Sequence, residues 1–337
     1  MAREPRRPGR ARPAARPYWR STVNLGSKIL AFGHYQPSQV VTNDDLSRVI
    51  ETNDEWIRDR VGIAQRRVAG TETVADMATA AAGKALAASG LTAGDIDTVI
   101  VATCSSVDRC PNVATRVAAK LGINAPAAYD LNTACSGFCY GLASADHAIR
   151  AGAARNALVI GAEKLSDVTD WTDRTTAVLF GDGAGAAVLT AIGEGEQPGV
   201  GPVVWGSAPD KGDVLKIEGW RPYIKQEGQA VFRWATTAIA PYAQAALDRA
   251  GVQGKDIAAF VAHQANTRII DGITKRLDMP NAIVLKDLVE SGNTSAASIP
   301  LALSKAIERR EVPSGAPVLL FGFGGGLTYA GQVIRCP

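Results

Sequence analysis

The chain has 337 residues, of which 46% are hydrophobic and 20% charged, and its formal net charge is +3. This composition predicts a globular protein with a sizeable core and gives no reason to expect nucleic acid as a partner. No run approaches the roughly 18 apolar residues of a membrane span. The cysteine count is odd at five, and no export signal is present, so a reducing cytoplasm without a disulfide framework is expected.

The first twenty residues are rich in arginine and proline, with seven arginines against one glutamate. They contain no apolar h-region, which excludes a secretory signal. We predict that residues 1–26 form a disordered extension. A basic arm that contacts an acidic partner is the alternative.

Helical segments alternate with short apolar runs along the rest of the chain. Helices are predicted at residues 74–88 and 235–250, and buried strands at residues 98–102, 157–160, 258–262 and 318–321. Continuous apolar strands separated by helices are typical of a mostly parallel sheet that is covered on both faces.

Two sequence patterns occur twice in the same order. Residues 90–102 parallel residues 251–263 at an offset of 161. Residues 177–185 parallel residues 318–326 at an offset of 141, each as an apolar strand that leads into a glycine-rich turn. Two such repeats predict a duplicated α/β unit. We place the halves at residues 27–195 and 196–337, divided near a segment rich in glycine and proline.

Cys135, His263 and Asn293 each lie in a short run of small residues. Cys135 is predicted between a strand and a helix, where a helix N-terminus would favour the thiolate and lower the thiol pKa from about 8.5. His263 ends an apolar strand, a common place for functional groups in α/β folds. Asn293 precedes a helix that begins near residue 298. Taken singly, these residues could be a core cysteine, a strand-end histidine and a turn asparagine.

The other motifs are predicted to be structural. The glycine-rich loops at residues 181–185 and 322–326 match no nucleotide-binding pattern, so we expect them to allow close backbone approach and to offer an N–H group to an oxyanion. Cys104 and Cys139 are predicted core residues, and no cysteine spacing indicates zinc. His34, in a predicted turn, and His147, on a helical face, have no predicted function.

Five short blocks carry a family resemblance, at residues 54–63, 134–138, 180–185, 263–266 and 292–300. In this order they resemble the β-ketoacyl-acyl carrier protein synthase III family, the initiating condensing enzymes of the thiolase superfamily. The resemblance extends from about Ser27 to the C-terminus. It implies a duplicated αβαβα fold of five layers and a homodimer.

The resemblance also implies a mechanism. Cys135 would accept an acyl group from acyl-CoA, and His263 and Asn293 would bind malonyl-acyl carrier protein during decarboxylation. Backbone N–H groups of Cys135 and Gly325 would form the oxyanion hole. Loss of carbon dioxide drives such a condensation, so no tightly bound cofactor or metal is expected.

Further binding residues follow from the same resemblance. Coenzyme A contacts are implied at Trp56, Arg60, Arg174 and Asn266. The acyl pocket is implied at Phe323 and at Cys110, which would come from the partner subunit. Carrier-protein docking is implied at Arg233, Arg268, Lys275 and Arg276.

The chain departs from the family pattern at some positions. Ser136 replaces an alanine found in many relatives. Cys110 replaces a bulky aromatic residue found in some, and we expect the smaller side chain to admit branched or longer primers. The loop at residues 207–228, which contains Trp220 and Tyr223, is also expected to vary.

Three other functions were considered. A papain-like protease also has cysteine, histidine and asparagine in this order, but its cysteine signature is absent here. A non-catalytic partner subunit would not need all three residues. A starter-unit enzyme of polyketide synthesis, or an acyltransferase acting on oxygen or nitrogen, remains an alternative to fatty acid initiation.

Overall fold

The computed structural model describes residues 26–219 and 223–337. The predicted N-terminal extension, apart from Gly26, and Trp220 lie outside the described residues. The first part of the chain contains β1 (Ser27–Tyr35), β2 (Gln39–Thr42), α1 (Asn43–Ser47), α2 (Asp54–Arg60), β3 (Gln65–Val68), α3 (Val74–Ser89), β4 (Thr98–Ala102), α4 (Val113–Leu121), β5 (Ala127–Leu131), α5 (Gly137–Arg150), β6 (Asn156–Glu163) and β7 (Gly183–Ala191). The second part contains β8 (Val204–Ser207), β9 (Leu215–Ile217), β10 (Ile224–Gln226), α6 (Gly228–Ala250), β11 (Ala259–Ala262), α7 (Thr267–Thr274), β12 (Ile283–Val284), α8 (Leu288–Ser291), α9 (Ser298–Glu308), β13 (Pro317–Gly324) and β14 (Thr328–Arg335).

Two five-stranded sheets have the same topology. The first has the strand order β1-β7-β6-β4-β5, and the second has the order β8-β14-β13-β11-β12. In each sheet β7 or β14 runs antiparallel to both of its neighbours, and the other four strands all point in one direction. The duplication predicted from the repeats is confirmed. The predicted mostly parallel strands are confirmed as well, but the one antiparallel strand in each sheet was not predicted, because an apolar run reports burial on both faces and not strand direction.

The sheets and helices stack in five layers. Helices α3 and α4 cover the outer face of the first sheet, and α6 and α7 cover the outer face of the second. Helices α5 and α9 lie between the two sheets, in a core to which both sheets contribute. This order is the predicted αβαβα architecture. In the described parts of the chain, no helix has both the length and the apolar character needed to cross a bilayer.

Most predicted elements are present with small changes at their ends, and two are not. Residues 177–180 form a turn that ends in an isolated bridge between Phe180 and Asn293. Their apolar character comes from packing, since Ala177 and Val178 belong to the core beneath the second sheet. His34 lies in strand β1 and not in a turn. We keep residues 193–202 as the proposed boundary, because they connect the last strand of one sheet to the first strand of the other.

The duplication extends to loops that precede the two central helices. Asn132 Oδ1 accepts a hydrogen bond from Ala134 N at 3.2 Å, and Asn293 Oδ1 accepts one from Ser295 N at 2.8 Å. Ala134 and Ser295 both have a φ of 46°, which is unusual for residues other than glycine. Each then starts a single 3₁₀ turn that leads into α5 or α9. All these pairs are related by the offset of 161 found in the sequence.

The same offset relates Cys135 to Ala296, and glycines in β6 and β13 make room for both. A Cβ atom on Gly322 would lie 2.8 Å from Ser136 Cα, and one on Gly161 would overlap the carbonyl of Ala296. Both loops therefore press against the centre of the opposite sheet, and they meet in the middle layer of the molecule.

Candidate active site

Cys135 lies where a strand of the second half meets a helix of the first. It is part of the 3₁₀ turn Ala134–Ser136, directly before α5. Only 7% of its surface is exposed. A Cβ atom on Gly324, the last residue of β13, would lie 2.8 Å from the Cys135 sulfur. Cys135 therefore precedes a helix, as predicted. Strand β13 must end in glycine, because any side chain at that position would collide with the sulfur.

The thiol of Cys135 is not activated in the way that we expected. Burial raises its pKa to about 11, against the opposing effects of the Ser295 hydroxyl and the Gly325 N–H, and the Glu163 carboxylate raises it further. The predicted lowering of this pKa is therefore wrong. The sulfur lies inside the protein, where the cost of desolvating a thiolate exceeds the benefit of the helix N-terminus. At neutral pH Cys135 is therefore a protonated thiol.

His263 follows β11 directly and is 2% exposed. Its Nδ1 atom lies 2.8 Å from the Ser298 hydroxyl oxygen. The Phe323 ring packs edge-on against the imidazole, with 5.5 Å between ring centroids. Burial lowers the pKa of His263 to about 3. The imidazole is therefore neutral at physiological pH and can donate or accept through its second nitrogen.

Asn293 is held by its backbone and by one end of its amide. Its N–H donates to Leu179 O at 2.8 Å, and its carbonyl accepts from Gly181 N at 3.0 Å. Its Oδ1 atom accepts from Ser295 N at 2.8 Å. Within residues 26–219 and 223–337, no acceptor lies in hydrogen-bond range of Nδ2. That amide group is therefore available to a ligand.

The three predicted catalytic residues line one cavity of about 180 Å³, together with Trp56 and Asn266. The side chains come from the turn before α5, the residue after β11 and the loop before α9. Because the two copies of the duplicated unit face each other, residues far apart in sequence converge here. Sequence analysis placed these three residues together only through the family resemblance, and the structure does bring them to one place.

The buried His263 predicts a specific pH dependence of stability. Its pKa is about 3 in the folded protein and 6.5 without burial, so only the unfolded chain takes up a proton between these values. The contribution of His263 to the free energy of unfolding is then fully present above pH 6.5. It decreases as the pH drops below 6.5, by up to about 1.4 kcal/mol per pH unit. Urea unfolding at pH 7 and pH 5 should show a smaller loss for His263→Gln than for the wild type. His147→Gln, at an exposed helix position, should lose as much stability between pH 7 and pH 5 as the wild type. An equal loss for all three proteins would contradict the attribution of this pH dependence to His263.

Comparison with known proteins identifies the family. Two family profiles match, 3-oxoacyl-[acyl-carrier-protein (ACP)] synthase III over residues 129–209 and the C-terminal part of that synthase over residues 247–336. The chain is 59% identical over 316 residues to "Beta-ketoacyl-[acyl-carrier-protein] synthase III 4" of Streptomyces coelicolor, a match that spans 94% of this chain and 100% of that protein. The chain belongs to the β-ketoacyl-acyl carrier protein synthase III family.

Solved structures agree with this assignment. The synthase superposes on the priming β-ketosynthase of the R1128 polyketide biosynthetic pathway with a TM-score of 0.92 and 39% identity, over 95% of this chain and 99% of that one. It superposes on 3-oxoacyl-(acyl carrier protein) synthase III of Pseudomonas aeruginosa with a TM-score of 0.88 and 40% identity, over 93% and 98% of the two chains. It is therefore a condensing enzyme, an acyltransferase with the thiolase fold.

Two of the residues implied to bind coenzyme A meet at the rim of the synthase's cavity. Trp56 lies in α2, which is attached to the core of the second half through the fully buried Ile57. The guanidinium carbon of Arg174 lies 4.2 Å from the centroid of the Trp56 ring. The guanidinium therefore packs over one face of the indole in a cation–π contact.

The other two implied coenzyme A residues have structural contacts. Asn266 Nδ2 donates to Arg60 O at 3.0 Å, and its Oδ1 accepts from Arg268 N at 2.8 Å as the N-cap of α7. Asn266 therefore ties α2 to α7 with both ends of its amide. The side chain of Arg60 is exposed and lies 3.7 Å from Asp59.

A second cavity, of about 320 Å³, lies on the other side of Cys135. Its apolar lining consists of Leu165, Phe180, Leu215, Ile217 and Ile224. Sequence analysis missed it, because these residues come from three separate segments and none has a distinctive pattern. Cys104, predicted as a core residue, also lines this cavity, and its sulfur lies 3.4 Å from Glu163 Oε1.

The two predicted acyl-pocket residues lie outside this apolar cavity. Phe323 lines the cavity of the catalytic residues and contacts His263. Cys110 is exposed in the loop before α4. Its predicted role in the pocket of a partner subunit stays a prediction.

The four predicted docking residues are exposed cations on or beside two neighbouring helices: Arg233, Arg268, Lys275 and Arg276. Helix α7 ends at Thr274, so Lys275 and Arg276 follow it directly. The guanidinium of Arg268 lies 5.7 Å from the ring centroid of Phe232. Phe232 also lines the cavity of the catalytic residues, so the basic cluster borders its mouth.

Proposed function

We propose that this synthase condenses an acyl-CoA primer with malonyl-acyl carrier protein and so forms a β-ketoacyl-acyl carrier protein. One observation carries the proposal. Cys135 lines both the cavity that holds His263 and Asn293 and a second cavity whose wall includes five large apolar side chains among polar ones. This arrangement suits a thiol that holds an acyl chain on one side and meets an activated nucleophile on the other.

In the first step the Cys135 sulfur attacks the thioester carbonyl of acyl-CoA. The sulfur–carbon bond to coenzyme A breaks, and coenzyme A leaves as a thiol with the proton that Cys135 loses. The N–H groups of Cys135 and Gly325 would hold the oxyanion in the transition state, at about 3 kcal/mol for each such donor. The acyl chain then lies in the apolar cavity.

In the second step His263 and Asn293 donate hydrogen bonds to the thioester oxygen of the malonyl group. The carboxylate leaves as carbon dioxide, and its electron pair forms an enolate that these donors stabilise. The enolate carbon attacks the acyl carbon on Cys135, the carbon–sulfur bond breaks, and the departing thiolate takes up a proton from solvent. Both donors are neutral, because burial keeps the pKa of His263 at about 3. The step calls for no metal or redox cofactor, since the loss of carbon dioxide drives it.

Adenine binding by Trp56 is testable through one kinetic constant. We expect Trp56→Ala to raise KM for acyl-CoA about ten-fold, the size expected when an aromatic ring stacked on a base is lost. KM for malonyl-acyl carrier protein, which carries no adenine, should stay within two-fold of wild type by the same reasoning. Trp205→Ala is the matched control, since Trp205 is 41% exposed and stacks on Tyr140 instead. Equal changes for both substrates would contradict the coenzyme A role.

We also propose that the enzyme works as a homodimer in the cytoplasm. Strand β5 is an edge of the first sheet, and its residues Ala127 and Tyr129 are exposed. An open edge strand is a ready template for pairing with a second copy. Such a dimer would let Cys110 approach the acyl cavity of its partner. The acidic carrier protein would dock on the basic cluster at the cavity mouth.

Fatty acid initiation is the primary proposal, and priming of a polyketide pathway is the second. The names of the curated relatives support the first, and the resemblance to a priming ketosynthase supports the second. The choice depends on which acyl group the enzyme accepts.

One experiment tests both the reaction and the primer. The purified enzyme is incubated with equal amounts of acetyl-CoA, isobutyryl-CoA and a longer acyl-CoA, and the adduct on Cys135 is identified by mass spectrometry. Malonyl-acyl carrier protein is then added, and carbon dioxide and the β-ketoacyl product are measured. We expect branched or longer adducts that malonyl-acyl carrier protein removes. Absence of any adduct, or transfer only to a hydroxyl or amine acceptor, would refute the condensation, and turnover of acetyl-CoA alone would refute the primer prediction.

A further inference from the structure

The imidazole of His263 touches a hydroxyl on the side opposite the cavity. Its Nδ1 atom and the Ser298 oxygen are 2.8 Å apart, and Ser298 is 1% exposed at the first position of α9. The same oxygen accepts a hydrogen bond from Gln264 N at 3.3 Å. The ring orientation is also limited by Phe323, which packs edge-on against it.

Counting protons decides the direction of this hydrogen bond. The Ser298 oxygen already accepts from a backbone N–H, and its hydroxyl has one proton to donate. If His263 carried its proton on Nδ1, the hydroxyl would have to donate elsewhere, and no other acceptor lies within its reach in the described parts of the chain. A buried hydroxyl without an acceptor is costly. The favourable arrangement is Ser298 donating to an unprotonated Nδ1.

We propose that Ser298 is a positioning residue that fixes the tautomer of His263 with its proton on Nε2. A neutral imidazole has one proton to place, and its second nitrogen is defined by the partner of the first. With Nδ1 occupied, Nε2 becomes an N–H donor directed away from Ser298 and towards the cavity. This inference rests on the proposed function for its kinetic consequence, because a donor is what the malonyl thioester oxygen requires.

The chain supplies a matched control on the same helix. Ser304 lies two turns further along α9, is 2% exposed, and its hydroxyl is 2.9 Å from Nδ1 of His34. The two serine–histidine pairs thus have the same contact geometry, but only one of them borders the cavity of Cys135. Ser304→Ala deletes one hydrogen bond, and Ser298→Ala deletes the bond to His263 and the longer one from Gln264 N, so a general loss of stability affects both variants.

The tautomer can be read directly by NMR with ¹⁵N-labelled histidine. The chain has only three histidines, so the ring nitrogens are easily assigned with His147→Gln and His34→Gln. In the wild type we expect the His263 signals of a neutral ring with protonated Nε2 and unprotonated Nδ1. Ser298→Ala should shift Nδ1 of His263 and introduce the other tautomer, whereas Ser304→Ala should shift only His34. A wild-type ring protonated at Nδ1, or one unchanged by Ser298→Ala, would overturn the proposal.

The kinetic readout separates a positioning role from a structural one. Ser298→Ala should slow carbon dioxide release from malonyl-acyl carrier protein about ten-fold, as expected for one lost hydrogen bond, and leave acylation of Cys135 within two-fold. Ser304→Ala should change neither step. Equal loss of both steps, or no loss of decarboxylation, would overturn the positioning role. If the wild type released no carbon dioxide at all, the proposed function would fail, while the NMR result would still decide the tautomer.

Discussion

Replacing Cys135 with alanine is expected to abolish both acyl-enzyme formation and condensation, with a fall in rate of about 10⁴-fold or more. Among the described residues, Cys135 is the only cysteine that lines both cavities, and His263 and Asn293 can donate hydrogen bonds but cannot form a thioester in its place. Intact-mass measurement after exposure to acyl-CoA, followed by assay of the β-ketoacyl product, checks both steps. Condensation that persists in this variant would point to a non-catalytic role for the cavity.

Cys139→Ala is the control for this prediction. Cys139 lies one helical turn after the nucleophile, is fully buried, and belongs to the core between the two sheets. Its replacement should cost a modest amount of stability and leave the adduct on Cys135 intact. If Cys139→Ala also prevented the adduct, loss of fold and not loss of the sulfur would explain the result.

A methyl group on Gly324 is expected to have the second largest effect. The added Cβ atom would lie 2.6 Å from the Cys135 Cβ and 2.8 Å from its sulfur, too close for any pair of carbon and sulfur atoms. Either β13 or the loop carrying the nucleophile must then move. A displacement of about 1 Å in an active site can cost about 100-fold in rate. We therefore expect Gly324→Ala to lower kcat/KM by about two orders of magnitude while circular dichroism stays close to wild type.

Gly83→Ala gives the matching control. Gly83 lies within helix α3, and the nearest atom to an added Cβ is 3.6 Å away. Alanine in place of glycine should raise helix stability by up to about 1 kcal/mol. A kinetic assay of both variants checks the expected loss of kcat/KM in Gly324→Ala, and thermal unfolding checks the expected gain of stability in Gly83→Ala. A Gly324→Ala enzyme with wild-type kcat/KM would show that the nucleophile does not need its present position.

Sequence analysis predicted those features that depend on local pattern. Two repeats in the same order, at offsets of 161 and 141, predicted the duplicated architecture, and the apolar runs located β4, β6, β11 and β13. The one antiparallel strand in each sheet was not predicted, because β7 and β14 are as apolar as the strands beside them. The turn at residues 177–180 was mistaken for a strand for the same reason, since burial alone does not distinguish the two.

Properties that arise only in the assembled site could not be predicted. The pKa of the Cys135 thiol depends on how completely two halves of the molecule enclose the sulfur, and a helix N-terminus in the sequence does not report this. The contact between Ser298 and His263 joins residues from a helix and a strand of different layers. The apolar cavity combines the loop after β6 with the β9–β10 hairpin, which no single segment reveals.

The pairing of Cys135 with Ala296 has a consequence for how the activity is divided. The two copies of the unit hold the same asparagine and the same strained turn, yet only one retains a thiol. At the ends of the equivalent strands β4 and β11, one copy has alanine where the other has His263. The two copies therefore share a backbone geometry but carry different reactive side chains. Neither copy expressed separately would possess a complete set of reacting groups.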